Sequence, residues 1–417
     1  MLDHETAKEF VARFGSPLYA YDLAQVEARV TALKDLLPPA STLFYSLKAN
    51  PLPALAGALR ELGCRAEISS PGELRSALDA GFAPAQMLYG GPGKTSYEIG
   101  LALDAGVTCF SCESWVDLAR LKDAARAHHR RLSVLLRVNP AVAPQASLSM
   151  SGVESQFGFD EDQLLAETQA PALDDDSIEL IGAHVYYGSQ MKDATAILAA
   201  MERSIETAER IALRFERSFR VLDLGGGFPW PYATAGVGVD LSELKPGLIQ
   251  LARGRDHTAS ADLWFESGRY LVASAGTLLT TVVDVKISRG GHQYVVLDAG
   301  INHLGGMSGL GRIPRMNVSL QLLDAQPTNR DTTTATVVGP LCSPLDCIAR
   351  NASVPQLRPG DLIAIPNVGA YGLSASLVHF LSRVPPVEVT YRGTSIVSAE
   401  QLATGYDRLV RDDAPAR

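Results

Sequence analysis

Short apolar runs alternate with stretches of helical character from residue 40 to residue 270, and this rhythm constrains the fold more than any other feature of the chain. The runs are Leu43–Ser46, Ala66–Ser69, Met87–Tyr89, Val107–Phe110, Ser133–Val138, Leu180–Val185, Arg220–Leu224 and Asp262–Phe265. Helical patterns over 52–62, 71–80, 97–105, 114–127, 160–168, 194–215 and 241–252 separate them. Strands joined by such long crossovers pair in parallel. Eight units in succession fit an α/β fold of the (β/α)8 barrel type, with an open doubly wound sheet as the alternative. Ser70, followed three residues later by Glu73, reads as a capping box that starts one of the helices. After Tyr270 the pattern changes to short β-rich runs at 282–288, 294–297, 318–322, 334–338, 361–366 and 388–391, broken by Gly, Pro and Asn. That texture predicts a C-terminal β-sandwich or β-barrel domain.

Composition narrows the partners. Lys plus Arg total 37 and Asp plus Glu 46, a formal charge of −9, and no basic stripe is present. Neither nucleic acid nor an anionic membrane surface is therefore expected as a partner. No run approaches the ~20 apolar residues of a membrane span. The N-terminal Met-Leu-Asp-His-Glu-Thr lacks the basic start of a signal peptide. Five cysteines, Cys64, Cys109, Cys112, Cys342 and Cys347, are too scattered for a disulfide scaffold, so a reduced, cytoplasmic protein is expected.

Candidate chemistry sits at the ends of the predicted strands, where (β/α)8 barrels build their sites. Lys48 follows the first strand and reads either as a solvated lysine or as an amine nucleophile. Gly225, Gly226 and Gly227 follow a later strand; they suit a tight turn or a cradle of bare amides for phosphate. Glu266, Gly268 and Arg269 end another, placing a carboxylate and a guanidinium around a glycine. That is either a surface ion pair or a site in which Arg269 forks onto phosphate and Glu266 holds a ring nitrogen. Alternation points His184 and Tyr186 the same way, with Ser189 free to donate to an anion. Cys109 and Cys112 have metal-like spacing, but no second pair or histidine cluster follows, and no metal is expected. In the β-rich part, Cys342 lies in Gly339–Asp346 and Tyr371 in Gly369–Gly372, both Gly/Pro-framed polar loops.

In this order and spacing the segments resemble the fold-type III pyridoxal-phosphate decarboxylases, which include diaminopimelate, ornithine and arginine decarboxylases. The resemblance runs from Phe14 to Tyr391. It implies an alanine-racemase-like architecture, with a cofactor-binding barrel over 26–270 and a β domain from 1–25 and 271–417. It also implies pyridoxal 5'-phosphate joined to Lys48 as an imine. Ser189, Gly225 to Gly227, Arg269 and Tyr371 would surround the phosphate, Glu266 would meet the pyridine nitrogen, Tyr186 would stack on the ring, and His184 and Gly268 would also bind the cofactor. Cys342 would act as the proton donor from the other subunit of a homodimer with shared active sites.

Three departures bear on the substrate. Diaminopimelate decarboxylases resemble His-x-His-Ile/Leu-Gly-Ser-Gln where this chain has His184 to Gln190, so Tyr186 takes the place of a stacking histidine. Ser343-Pro344-Leu345-Asp346 replaces their usual Glu-Ser-Gly-Asp. Residues 298–317 lack their arginine-rich pattern. These features resemble a branch from secondary-metabolite gene clusters, one member type of which decarboxylates a glutamyl group tethered to an acyl carrier protein. The substrate is accordingly a small amino acid or a carrier-bound aminoacyl group, met by Ser343, Asp346 and Arg312, with Arg312 and Arg315 offering a basic patch. Alternatives are a diaminopimelate decarboxylase, an amino-acid racemase (against which Glu266 argues, since racemases of this fold set an arginine on the ring nitrogen), and a non-catalytic homologue.

Overall fold

The computed structural model describes residues 2–140, 148–149, 155–167, 173, 175–251, 256–305, 318–323 and 330–406. The chain divides into two compact units, one of Tyr21–Thr277 with Pro366–Ser374, the other of Met1–Ala20, Leu278–Ile365 and Ala375–Arg417.

The first unit is a closed parallel barrel. Its strands are β1 (Thr42–Ser46), β2 (Arg65–Ile68), β3 (Met87–Tyr89), β4 (Cys109–Cys112), β5 (Leu132–Asn139), β6 (Ile178–His184), β7 (Val221–Asp223) and β8 (Asp262–Ser267). Each pairs in parallel with its neighbours, β4 pairs β5, and β8 pairs β1, so the ring has no open edge. Closure, and not the open sheet, is the outcome. Phe44, Leu88, Leu135, Ile181, Val221 and Trp264 form a buried cluster, with the Phe44 and Trp264 rings 4.9 Å apart. Helices begin where strands end because the sequence puts a cap there. Ser70 Oγ accepts from Glu73 N at 3.1 Å, and Thr95 and Glu98 form a reciprocal box.

The second unit is built on a nine-stranded sheet. The predicted runs appear as Gly276–Ile287, Gln293–Leu297, Gln321–Leu323, Thr332–Val338, Leu362–Ile365 and Val387–Arg392, joined by Leu18–Asp22, Cys347–Pro355 and Ser395–Gln401. Pairing is mainly antiparallel, but Gln293–Leu297 runs parallel to Thr332–Val338. The helix His4–Phe14 lays Ala7 and Phe10 against Leu18, Leu279, Val389 and Tyr391. Two strands lack a clear sequence signal. Ser395–Gln401 has no buried position, and Cys347–Pro355 breaks its alternation with shifts of register. No helix among the described residues is long and apolar enough to cross a membrane.

Candidate active site

The C-terminal ends of the barrel strands converge on one cleft, partly open to solvent. It brings together Lys48, Tyr186, Ser189, Gly226, Gly227, Glu266, Gly268, Arg269 and Tyr371. Lys48 sits in the single turn Leu47–Ala49 that leaves β1. Tyr371 arrives from the remote segment Pro366–Ser374, which is fastened to that turn. Tyr371 N donates to Ala49 O at 2.7 Å, Ser374 Oγ to the same carbonyl at 3.1 Å, and Asn50 Nδ2 to Gly369 O at 3.0 Å.

Part of the cleft wall suits an anion. Arg269 is 9% exposed; its guanidinium lies 4.8 Å from the ring centre of Tyr371 and 5.7 Å from that of Tyr232. Tyr232 in turn donates from its hydroxyl to Tyr371 O. Arg269 Nε has no partner among the described residues. Burial pulls the guanidinium pKa below its usual value, a strain that an anion placed against it relieves. The triple-glycine turn comes close for steric reasons. Gly225 has φ +62°, and a Cβ there would stand 2.4 Å from Tyr186 Cδ2; at Gly226 it would stand 2.1 Å from the carbonyl oxygen of Glu266. Main chain cannot swing aside as a side chain can. Gly226→Ala is therefore expected to cost ~1–3 kcal/mol of stability and to weaken phosphate-ligand binding, whereas Gly93→Ala, with open space at its Cβ, leaves both unchanged. Denaturant melts and ligand titration of the two variants check this.

Behind the lining residue Glu266 lies a buried cluster with a second carboxylate. Ligand atoms of His184, Asp223 and Glu266 lie within 4.8 Å of one another. At that distance and an effective dielectric of ~20, two ionised carboxylates repel by ~3.5 kcal/mol. Burial, together with the neighbouring carboxylates, accordingly pushes Glu266 well above the usual range and Asp223 up to about 6. His184 Nδ1 meets Ser111 Oγ at 2.9 Å, and its Nε2 stands 3.7 Å from Glu266 Oε1. Burial, then the cations Arg137, Lys48 and Lys94, hold His184 far below its usual pKa, so it is neutral. Lys48 Nζ lies 3.1 Å from Glu67 Oε2, with 43% of its side chain open to water. Crowding disfavours its charge, but Glu67 and Glu266 outweigh that and hold its pKa above the ordinary lysine value. Glu67 and Asp223 were not among the sequence candidates.

Other expectations resolve separately. Gly225 and His184 stand behind the cleft wall, not on it. Cys109 and Cys112 are free; burial pushes Cys109 up to about 12 and Cys112 also above a thiol's usual value, so neither is poised as a thiolate. In the second unit Cys342 is exposed and Ser343 half-buried on the loop between Thr332–Val338 and Cys347–Pro355. Asp346 is 2% exposed, and its two oxygens accept the amides of Ile301 and Leu341 at 2.8 and 2.7 Å. That carboxylate braces the loop, which leaves Ser343 as the freer of the two polar groups. Arg312 and Arg315 lie outside the described residues.

The residues present fit pyridoxal 5'-phosphate. Glu266 lines the cleft with an unpartnered buried oxygen suited to a protonated ring nitrogen, and Arg269 with the glycine cradle suits the phosphate. Comparison with known proteins agrees. The pyridoxal binding domain of the pyridoxal-dependent decarboxylases matches residues 23–273. The L-glutamyl-[BtrI acyl-carrier protein] decarboxylase of Niallia circulans is 33% identical over 411 residues, covering 97% of this chain and 96% of the relative. The diaminopimelate decarboxylase of Pseudomonas aeruginosa is 35% identical over 373 residues, 87% of this chain and 85% of its own. The crystal structure of diaminopimelate decarboxylase from Helicobacter pylori complexed with L-lysine superposes with a TM-score of 0.81 at 26% identity, over 94% of this chain and 95% of that one. Likeness of this extent reaches through every barrel strand and into the second unit: the chain belongs to the pyridoxal-dependent decarboxylases and is a carboxy-lyase whose cofactor is pyridoxal 5'-phosphate.

Proposed function

We propose that this enzyme removes the α-carboxylate of an aminoacyl group of glutamyl type carried on an acyl carrier protein, with Lys48 holding the cofactor. The observation that carries the cofactor assignment is the pair of unsatisfied buried groups on residues that line one cleft, Glu266 Oε1 and Arg269 Nε. The substrate assignment is supported by likeness to the Niallia circulans protein over 97% of the chain. It is also supported by Tyr186, a neutral ring packed over Gly225 where diaminopimelate decarboxylases resemble a histidine; burial raises its pKa above the phenol's usual value.

Bound in this cleft, the cofactor supplies an electron sink for the pair left on the α-carbon when carbon dioxide departs. Ser189, Gly226, Gly227, Gly268, Arg269 and Tyr371 grip its phosphate, Glu266 keeps the ring nitrogen protonated, and Tyr186 covers the ring, with His184 behind Glu266. Glu67 accepts a hydrogen bond from Lys48 Nζ at 3.1 Å and so holds the amine in place. Cys342 returns a proton to the α-carbon from the second subunit of a homodimer, with Ser343 beside the substrate and the β domain supplying that loop to the partner's barrel. Five free cysteines, one of them exposed, suit a reducing, cytoplasmic setting.

A second reading, diaminopimelate decarboxylation, is favoured by the 35% identity to the Pseudomonas aeruginosa enzyme. Carbon dioxide release separates the two. The account predicts rapid release from glutamyl-carrier protein and at least about tenfold less, by kcat/KM, from free glutamate and diaminopimelate. Preference for free diaminopimelate overturns the substrate assignment and leaves the cofactor site standing.

A further inference from the structure

Asp223 lies at the end of β7, completely buried, one strand from Glu266 and in register with His184 on β6. Its Oδ1 accepts the amide of Gly225 at 2.9 Å. Among the described residues its Oδ2 has no donor, nor has Glu266 Oε1, yet the two carboxylates lie within 4.8 Å of one another. Two carboxylates facing each other with no donor between them attract only when one carries a proton. We propose that Asp223 is a positioning residue, one that shares a single proton with Glu266 and thereby fixes Glu266 as the acceptor for the cofactor's ring nitrogen. The inference rests on the reading of Glu266 given above and extends it to a residue that never enters the cleft.

The other charged and titratable groups around the pair are accounted for. Glu67 from β2, Cys109 from β4, Arg137 from β5 and His184 from β6 face it, and Lys48 and Tyr186 face Glu266. Arg137 is already engaged by Glu113 at 2.9 Å, His184 is neutral and the Cys109 thiol is undissociated. Below about pH 6 the pair holds two protons and offers the ring nitrogen no anion; above it, one proton is shared and one negative charge remains. Affinity for a cofactor with a ring nitrogen thus rises with pH through about 6. In the empty protein the same group acts oppositely: a raised carboxyl stabilises the fold fully below its ordinary value near 4, and that contribution is lost as pH climbs through about 6.

The test uses the cofactor-free protein and two probes, pyridoxamine 5'-phosphate and its 1-deaza analogue, which has carbon in place of the ring nitrogen. Neither probe needs a bond to Lys48. The phosphate titrates near 6 in both and cancels. Quenching of the barrel tryptophans gives Kd from pH 5 to 8 for wild type, Asp223→Asn and Asp223→Ala. Asp223→Asn keeps a donor to Glu266 but removes the like charge, so its inflection for the nitrogen probe moves about one unit or more to lower pH while Kd at pH 7.5 stays within about twofold. Asp223→Ala weakens the nitrogen probe about tenfold at pH 7.5 and leaves the deaza probe within about twofold of wild type. Equal weakening of both probes, or an Asp223→Asn inflection unmoved from wild type, overturns the inference. Wild type that binds neither probe overturns the site reading itself, and the inference with it.

Discussion

Lys48→Ala is expected to lower kcat/KM by about 10⁴-fold or more and to yield protein that loses its cofactor on gel filtration. The size follows from what a positioned amine provides, an effective molarity of ~10⁵–10⁸ M relative to a free amine in solution. Among the described residues that line the cleft Lys48 is the one lysine, and Lys94 is buried elsewhere against Asp117 at 2.8 Å. Glu67 and Glu266 keep the Lys48 amine protonated in the empty site, so cofactor loading of the wild type quickens as pH rises. Added methylamine is expected to recover part of the Lys48→Ala loss, since the missing group is a primary amine and the rest of the cleft is intact. Wild-type turnover in Lys48→Ala, measured by carbon dioxide release, contradicts the assignment.

Cys342→Ala is expected to lower kcat by ~10²–10⁴-fold, the usual contribution of a placed general acid, while binding cofactor as tightly as wild type. Cys342 is exposed on a loop of the second unit, so its removal leaves the core of neither unit short of a contact. The proposal that it serves the partner's cleft has a sharper consequence. When equal amounts of Lys48→Ala and Cys342→Ala chains exchange subunits, half of the dimers are mixed and each mixed dimer regains one intact site, which restores about a quarter of wild-type activity. No recovery on mixing contradicts the shared site. Recovery that fails to appear only when the chains are kept from exchanging supports it.

The barrel was legible because its two periods are local. Each strand is a short apolar run, each helix follows within a few residues, and the cap at Ser70 marks one of the joins. The strand ends then point to Lys48, the glycines at 225–227, Glu266 and Arg269 without any knowledge of packing, since a closed barrel presents those ends to one face. Tyr371 is different: the bond between Asn50 and Gly369 spans 319 residues, and nothing local announces it. The resemblance to known decarboxylases supplied that placement, and likewise the N-terminal strand Leu18–Asp22 in the second sheet. Glu67 and Asp223 went unremarked although a signal was present. Each is a carboxylate set inside an apolar run, Ala66-Glu67-Ile68 and Leu222-Asp223-Leu224, and a charge in a parallel barrel strand is costly unless something inside the barrel meets it. Strand Ser395–Gln401 was hidden for the opposite reason, since only Ile396 of it packs against the core and it carries no apolar stripe.

The attachment of the cofactor to residue 48 can be read directly. Holoenzyme reduced with borohydride, digested and mapped by mass spectrometry is predicted to carry one phosphopyridoxyl group per chain, on the peptide containing Lys48. A label on Lys94, on any other lysine, or on none would contradict the account.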